Sequence, residues 1–240
     1  MINFLRIIGN IKLGDYLHRD GTIDNIPSND IIGVCVIPSN NLPDRYARFI
    51  YLGDISYYTW GRNIRLKSEY KRNLPGKGKN EIFNWGFVNR EKGDRLLINP
   101  YLSNGSFNPE FLRDLPEGNA FQDYKGYENI KLYKEKCGGD KEFSNAFTEV
   151  IKRSPSYKKD NWYLPAIGEL AFIPPRFWFI REKMKKAIEA GSPGVALPAN
   201  RIWSSSERDS NRAWYISTGY SYVSNDGKVY KNYILSFLSL

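Results

Sequence analysis

The chain is 240 residues long, with 35 Lys and Arg against 26 Asp and Glu, a formal net charge of +9 and a pI near 9.4. That length can bury a real core and is read as one domain carrying an insertion, and the charge favours an acidic partner or an anionic surface. No stretch approaches the roughly 20 apolar residues that a membrane helix needs, and Cys35 and Cys137 lie in neither a C-x-x-C nor a Cys/His cluster, which excludes a recognisable zinc or redox site.

In chain order the sequence reads mostly as short strands between turns. Residues 2–8, 12–17, 31–37 and 47–52 carry β-branched and aromatic side chains bounded by Gly, Asn and Pro. The first of these, within residues 1–10, is read as an assembly arm or strand. The character changes from 62 to 79, where Arg62, Arg65, Lys67, Lys71, Arg72, Lys77 and Lys79 face a single acid, Glu69. Pro75-Gly76-Lys77-Gly78 breaks any regular element there, so an exposed insertion is expected, extended by the Pro- and Asn-rich residues 99–119. Two helices are predicted. Residues 142–153 place Phe143, Ala146, Phe147, Val150 and Ile151 at helical spacing, and residues 177–190 place Ile180, Met184, Ala187 and Ile188 on one face, with Gly191 at the stop position. Strands return at 203–206, 213–217, 219–223 and 230–237, and Asn225-Asp226-Gly227 reads as a hairpin turn.

The chemistry-bearing residues are few. His18 is the single histidine, and no nucleophile-elbow pattern accompanies it, so a Ser-His-Asp or Cys-His site is not expected. Gly76-Lys77-Gly78-Lys79 lacks the G-x-x-x-x-G-K-[ST] spacing of a phosphate loop and reads as a solvated basic turn. Cys35 and Cys137 read as buried or half-buried thiols, with a disulfide between them left open. Aromatics make up 15% of the chain, with 17 Tyr and 6 Trp, more than a core alone uses and suited to recognition as well as packing.

Asn161-Trp162-Tyr163-Leu164-Pro165-Ala166-Ile167-Gly168-Glu169-Leu170, then Ile202-Trp203-Ser204-Ser205-Ser206-Glu207 and Ala213-Trp214-Tyr215-Ile216, follow W-x-L-P-x-x-x-E-L, W-S-S-T/S-E and A-W-x-V in order, with Ile216 standing where the last has Val. This passage resembles the Lcl C-terminal domain family, also described as the Fibrobacter succinogenes major paralogous domain. Residues 11–17 with Asp20-Gly21-Thr22 look like that family's opening strand and turn, residues 32–38 like its second strand, and Asp123-Tyr124-Lys125-Gly126-Tyr127-Glu128-Asn129 is similar to its D-x-x-G-x-x-N turn. The resemblance implies an α+β, C-type-lectin-like fold of short antiparallel strands with two helices and a long irregular insertion at about 61–119, in one domain from 11 to 240. It also implies structural roles for Trp162, Leu164, Pro165, Glu169, Trp203, Ser204, Ser205 and Trp214. The Glu-Pro-Asn and Gln-Pro-Asp signatures of calcium-dependent lectins are absent from the sequence, so neither a metal nor another cofactor is expected.

Arg208, Asn211, Arg212, Tyr220, Tyr222, Asn225, Asp226 and Tyr230 fall on the terminal loops and hairpin, where lectin-like folds commonly hold ligand. Tyr faces stack on sugar C–H surfaces, and Asn, Asp and Arg bind hydroxyls or acidic groups; an ordinary wet surface or a subunit contact are the competing readings. The basic residues of 62–79 are expected either to meet an acidic subunit or anionic polymer or to form a mobile solvated loop, with nucleic acid less favoured because Tyr70 is the segment's single aromatic. Residues 1–9 show no signal-peptide core or cleavage site. On that ground the expected role is a non-enzymatic phage virion protein of a head or tail appendage, binding host-surface glycan or other virion subunits, with a homo-oligomer compatible. The alternative is a bacterial cell-surface adhesin or fimbria-associated protein.

Overall fold

The computed structural model describes residues 11–42, 44–53, 55–61, 64, 66, 123–137, 144–208, 211–219 and 222–240. The expected arm at 1–10 lies outside these residues, as do all seven cations of the basic segment, Tyr220 and nearly all of the insertion.

A six-stranded sheet is built in the order β2-β1-β3-β4-β11-β6, from β1 (Tyr16–His18), β2 (Ile23–Asp24), β3 (Ile31–Ile37), β4 (Arg48–Tyr51), β6 (Trp162–Tyr163) and β11 (Phe237–Ser239). Every residue of β3 is buried. An uninterrupted apolar run is what a strand covered on both faces needs. A second sheet runs β5-β10-β7-β8-β9, with β5 (Tyr57–Thr59), β7 (Arg201–Glu207), β8 (Arg212–Ser217), β9 (Tyr222–Gly227) and β10 (Lys231–Tyr233). Pairing is antiparallel except for β10 with β7, which run parallel with Tyr233 opposite Ile202. The expected strand over 230–237 is therefore two strands, and the chain passes from the second sheet to the first between them.

Four α-helices occur among the described residues, where two were expected: α1 (Gly126–Lys136), α2 (Ala146–Arg153), α3 (Ile167–Leu170) and α4 (Phe177–Glu189). α1 takes the place of the expected D-x-x-G-x-x-N turn. Gly126, Asn129, Ile130 and Tyr133 form its buried stripe, at the spacing of an amphipathic helix. α2 starts later than the periodicity suggests because Asn145 caps it. The Asn145 side chain accepts from the N–H groups of Phe147 and Thr148 at 3.0 Å each, and Thr148 Oγ1 accepts the Asn145 N–H at 3.0 Å. α4 buries Phe177, Ile180, Met184 and Ala187 and packs on β3. Gly191 follows with φ of 98°, the left-handed stop expected of it.

The main core gathers residues from both sheets and all four helices, Trp203, Trp214, Leu164 and Ile202 among them. A smaller cluster of Leu17, Ile32, Cys35, Phe49, Trp162 and Leu238 lies on the other face of the first sheet. Cys35 and Cys137 are free thiols. Asn225-Asp226-Gly227 does not form the hairpin turn. Arg212 pairs with Gly227, which keeps the chain extended through β9; a turn follows, where the Tyr230 N–H donates to the Gly227 carbonyl at 2.9 Å, and it leads to β10, which pairs with β5 and β7 and not with β9. No helix among the described residues is long and apolar enough to cross a membrane.

Candidate functional site

The W-S-S-S-E motif is a bulged strand. Trp203 pairs with Tyr215 and Glu207 with Ala213, so the β7 register shifts across Ser204, Ser205 and Ser206. A bulge re-aims side chains, and here it turns three hydroxyls to separate tasks. Ser204 Oγ donates to the Trp214 carbonyl at 2.8 Å. Ser205 Oγ accepts from Asn129 Nδ2 at 2.9 Å. Ser206 Oγ donates to Asp123 Oδ2 at 2.7 Å and accepts the Ile167 N–H at 2.9 Å. Asn129 Nδ2 also reaches Asp123 Oδ2 at 3.1 Å, and the Pro165 carbonyl accepts the Ser205 N–H at 2.7 Å. The matched segments thus meet in one buried polar knot joining α1, α3 and β7.

Glu169 centres a second buried network. It has no exposed surface. Its Oε1 accepts from Arg48 Nε and Tyr163 Oη at 2.7 Å each, and its Oε2 accepts the N–H groups of Ala166 at 2.8 Å and Gly126 at 3.3 Å. Burial pushes the Glu169 carboxyl above its ordinary range, opposed by the Arg48 charge and by these donors. Burial likewise pushes the Tyr163 phenol well up, so it stays protonated and can donate. A Cβ on Gly126 would sit 2.6 Å from Glu169 Oε2 and 2.8 Å from the Ala166 nitrogen, which is why the residue opening α1 is glycine. Arg48 also donates to the Tyr46 carbonyl at 2.9 Å and pairs with Asp44. Above this network lies a cleft of about 300 Å³, walled by Tyr46, Tyr124 and Tyr127.

Trp162, Trp203 and Trp214 are all buried, as are Leu164, Ser204 and Ser205. Two anchors had no sequence signal. Trp60 is fully buried and donates from Nε1 to the Ser204 carbonyl at 2.7 Å. Lys228, which follows the Asn225-Asp226-Gly227 read as a turn, is 1% exposed. It pairs with Glu207, donates to the Ile64 carbonyl at 2.6 Å and lies 4.4 Å from the Trp60 ring centroid. Their partners are distant in sequence, and no local pattern announces them.

Most of the expected ligand residues do come together. A cleft of about 530 Å³ at one end of the β8–β9 pair is lined by Asn211, Arg212, Asn225, Asp226, Gly227, Lys228, Val229 and Tyr230. Arg208 borders it by donating from Nη1 to Asn225 Oδ1 at 2.5 Å, and Arg212 Nη1 approaches the same oxygen at 3.5 Å. Arg201 lies 3.6 Å from Asp226 Oδ2. Tyr230 is 60% exposed and Val229 50%. The rim therefore offers guanidinium groups, amides and an open aromatic face. Tyr222 does not join it, because it pairs with Ser217 at the opposite end of β9.

His18 is held by side chains at both ring nitrogens. Its Nε2 is 3.1 Å from Asp24 Oδ1, and its Nδ1 is 2.8 Å from Asp30 Oδ1 and 3.2 Å from Ser28 Oγ, while Ser28 itself donates to Asp30. Carboxylates hold both ring nitrogens, whereas a triad leaves one for the serine. Burial lowers the His18 pKa, but the bonds and charges of Asp30 and Asp24 outweigh it and leave it raised. Among the described residues no group of three or more His, Cys, Asp or Glu side chains is placed to hold a metal.

No family model and no curated protein matches the sequence. Among solved structures, a fimbrial protein from Bacteroides ovatus ATCC 8483 is similar to this chain, with a TM-score of 0.56 and 14% sequence identity. The match covers 96% of this chain and 49% of that protein, so the chain spans about half its length. At that identity the likeness is one of fold: two β-sheets with a few helices.

Proposed function

We propose that the protein is a non-enzymatic, fimbria-associated binding protein of the bacterial cell surface, with a C-type-lectin-like fold related to the Lcl C-terminal domain family. The observation that carries this reading is the likeness in fold to a fimbrial protein over 96% of the chain. It favours the cell-surface alternative over the virion role that the sequence suggests. The polar knot lends support to the family relation, because the residues of the matched segments serve one another: Asn129 and Asp123 hold Ser205 and Ser206 of β7, and Glu169 holds Gly126.

In this reading the cleft of Arg212, Asn225 and Tyr230 is the contact surface. An exposed tyrosine face beside amides and guanidinium groups suits a saccharide ring bearing hydroxyl or acidic substituents. The +9 charge of the chain favours anionic host polymers by the same route. Immunogold electron microscopy of unpermeabilised cells tests the location. Gold on surface filaments is the expected result. Label confined to permeabilised cells, or to phage particles, would overturn it.

A further inference from the structure

The cleft above Glu169 is separate from the rim cleft of β8–β9, and its chemistry is different. Its floor is charged and buried: Arg48 is 2% exposed and Glu169 not at all. Its walls are aromatic, from Tyr46, Tyr124 and Tyr127. We propose that this cleft binds an organic ammonium group, supplied by a free quaternary amine or by a lysine side chain of a partner protein.

Charge decides the sign of the ligand. Asp44, Glu128 and Glu169 line the cleft against Arg48 and Lys125, an acid excess on a chain whose net charge is +9. Arg48 is held between Asp44 and Glu169, so two carboxylates offset its charge before it can act on a ligand. An incoming anion would meet Asp44 and Glu128, whereas a cation meets carboxylates and ring faces. Tyrosine faces attract cations through the ring quadrupole. The Tyr127 ring already holds a cation of the chain in this way, Lys131 Nζ at 4.4 Å from its centroid, so a ligand relies chiefly on Tyr46 and Tyr124.

The same geometry favours a diffuse organic cation over a metal ion. Both oxygens of Glu169 are occupied by Arg48, Tyr163 and two backbone N–H groups, which leaves little capacity to coordinate a hard ion directly. An ammonium needs only the ring faces and the field of the carboxylates. The walls are also fixed in advance. Tyr127 meets Tyr163 edge to face at 6.0 Å, and Tyr163 Oη bonds Ser239 Oγ at 2.8 Å. The Tyr46 turn is held from both sides by Arg48, through Asp44 and through the Tyr46 carbonyl. Between them Arg45 adopts φ of 59°, a conformation that side chains rarely take and that persists where neighbours impose it.

The test is titration of the full chain, followed by aromatic NMR shifts, with choline, with its neutral isostere 3,3-dimethylbutan-1-ol and with a blocked Gly-Lys-Gly peptide. Choline or the peptide is expected to saturate the shifts of the cleft tyrosines, with the neutral isostere at least about fivefold weaker. Tighter binding by the peptide identifies a partner lysine as the source, and tighter binding by choline a free amine. Tyr46→Ala and Glu128→Gln change exposed side chains, and each is expected to weaken binding about fivefold without altering the melting temperature. Equal binding of the isostere, unchanged binding in both variants, or no saturable shift at the highest soluble concentrations would overturn the proposal. Failure here would leave the surface location and the rim cleft untouched.

Discussion

Glu169 and Arg212 both belong to polar clusters, yet they meet opposite conditions. Glu169 has no exposed surface and accepts from Arg48, Tyr163, Ala166 and Gly126. Arg212 is exposed and lines an open cleft with Tyr230. A buried charge must be paired where it lies, so the first cluster is bound up with the fold even where it floors a cleft. A solvated charge keeps its water whether or not it is paired, so the second cluster costs the fold little. The difference teaches that in this chain the more distinctive sequence pattern falls on buried, mutually bonded residues, while the less patterned end of the β8–β9 pair is solvent-facing and is where contact with a ligand is proposed.

The sharpest way to break this contrast is Glu169→Ala. It leaves Arg48 buried without its principal partner and two backbone N–H groups without acceptors, and is expected to destabilise by about 3–5 kcal/mol, measured by chemical denaturation. A loss below about 1 kcal/mol would place Glu169 among residues the fold does not need. Trp203→Ala is expected to cost a similar 3–5 kcal/mol, because the ring is fully buried and its Nε1 donates to the Tyr58 carbonyl at 3.0 Å. Retained stability in that variant would remove Trp203 from the core.

Ser206→Ala is a smaller cut at the knot. It strands the Ile167 N–H and removes one donor from Asp123, with an expected loss of about 1–3 kcal/mol. Thermal melts of Ser206→Ala, Asp123→Ala and the double variant check the coupling: strictly additive losses would show that the two do not share a network.

The smallest expected effect is the pH dependence of His18. Its folded pKa is raised from 6.5, so its contribution is fully present below that value and fades as pH rises through the folded pKa. Asp30 is lowered, chiefly by the Ser28 hydrogen bond and then by His18, so its contribution is lost only as pH falls through its own depressed value. The advantage of the parent over His18→Gln should therefore be largest between these titrations and shrink toward alkaline pH. Asp24 and Asp30 are 38% and 43% exposed, which limits the effect to under about 1 kcal/mol after screening. A difference that grows toward pH 9 would contradict this assignment.

Much of the fold was legible where one residue type fills both faces or one stripe of an element. The β3 strand was read at its observed bounds, and α4 to within one residue. α1 carried a signal too, in Ile130 and Tyr133 one turn apart, but the likeness of 123–129 to the family's D-x-x-G-x-x-N turn led to a turn being expected there. What local pattern could not supply was the partner. Arg48 reads as one polar residue of a strand until Glu169 is brought to it across 121 positions. Lys228 follows Asn-Asp-Gly and reads as solvated, yet it closes on Glu207 and Trp60. The rim residues were legible as chemistry, and their meeting depends on the β8–β9 register: it brings Arg212 beside Gly227 and carries Tyr222 to the other end.

The central contrast is tested most directly by binding of the purified chain to a printed glycan array, comparing the parent with an Arg212→Ala/Tyr230→Ala double variant of measured melting temperature. The parent is expected to bind saccharides with acidic or vicinal hydroxyl groups, and the variant to lose that signal while its stability stays within about 0.5 kcal/mol. A parent that binds no saccharide, or a variant that binds as the parent does, would contradict it.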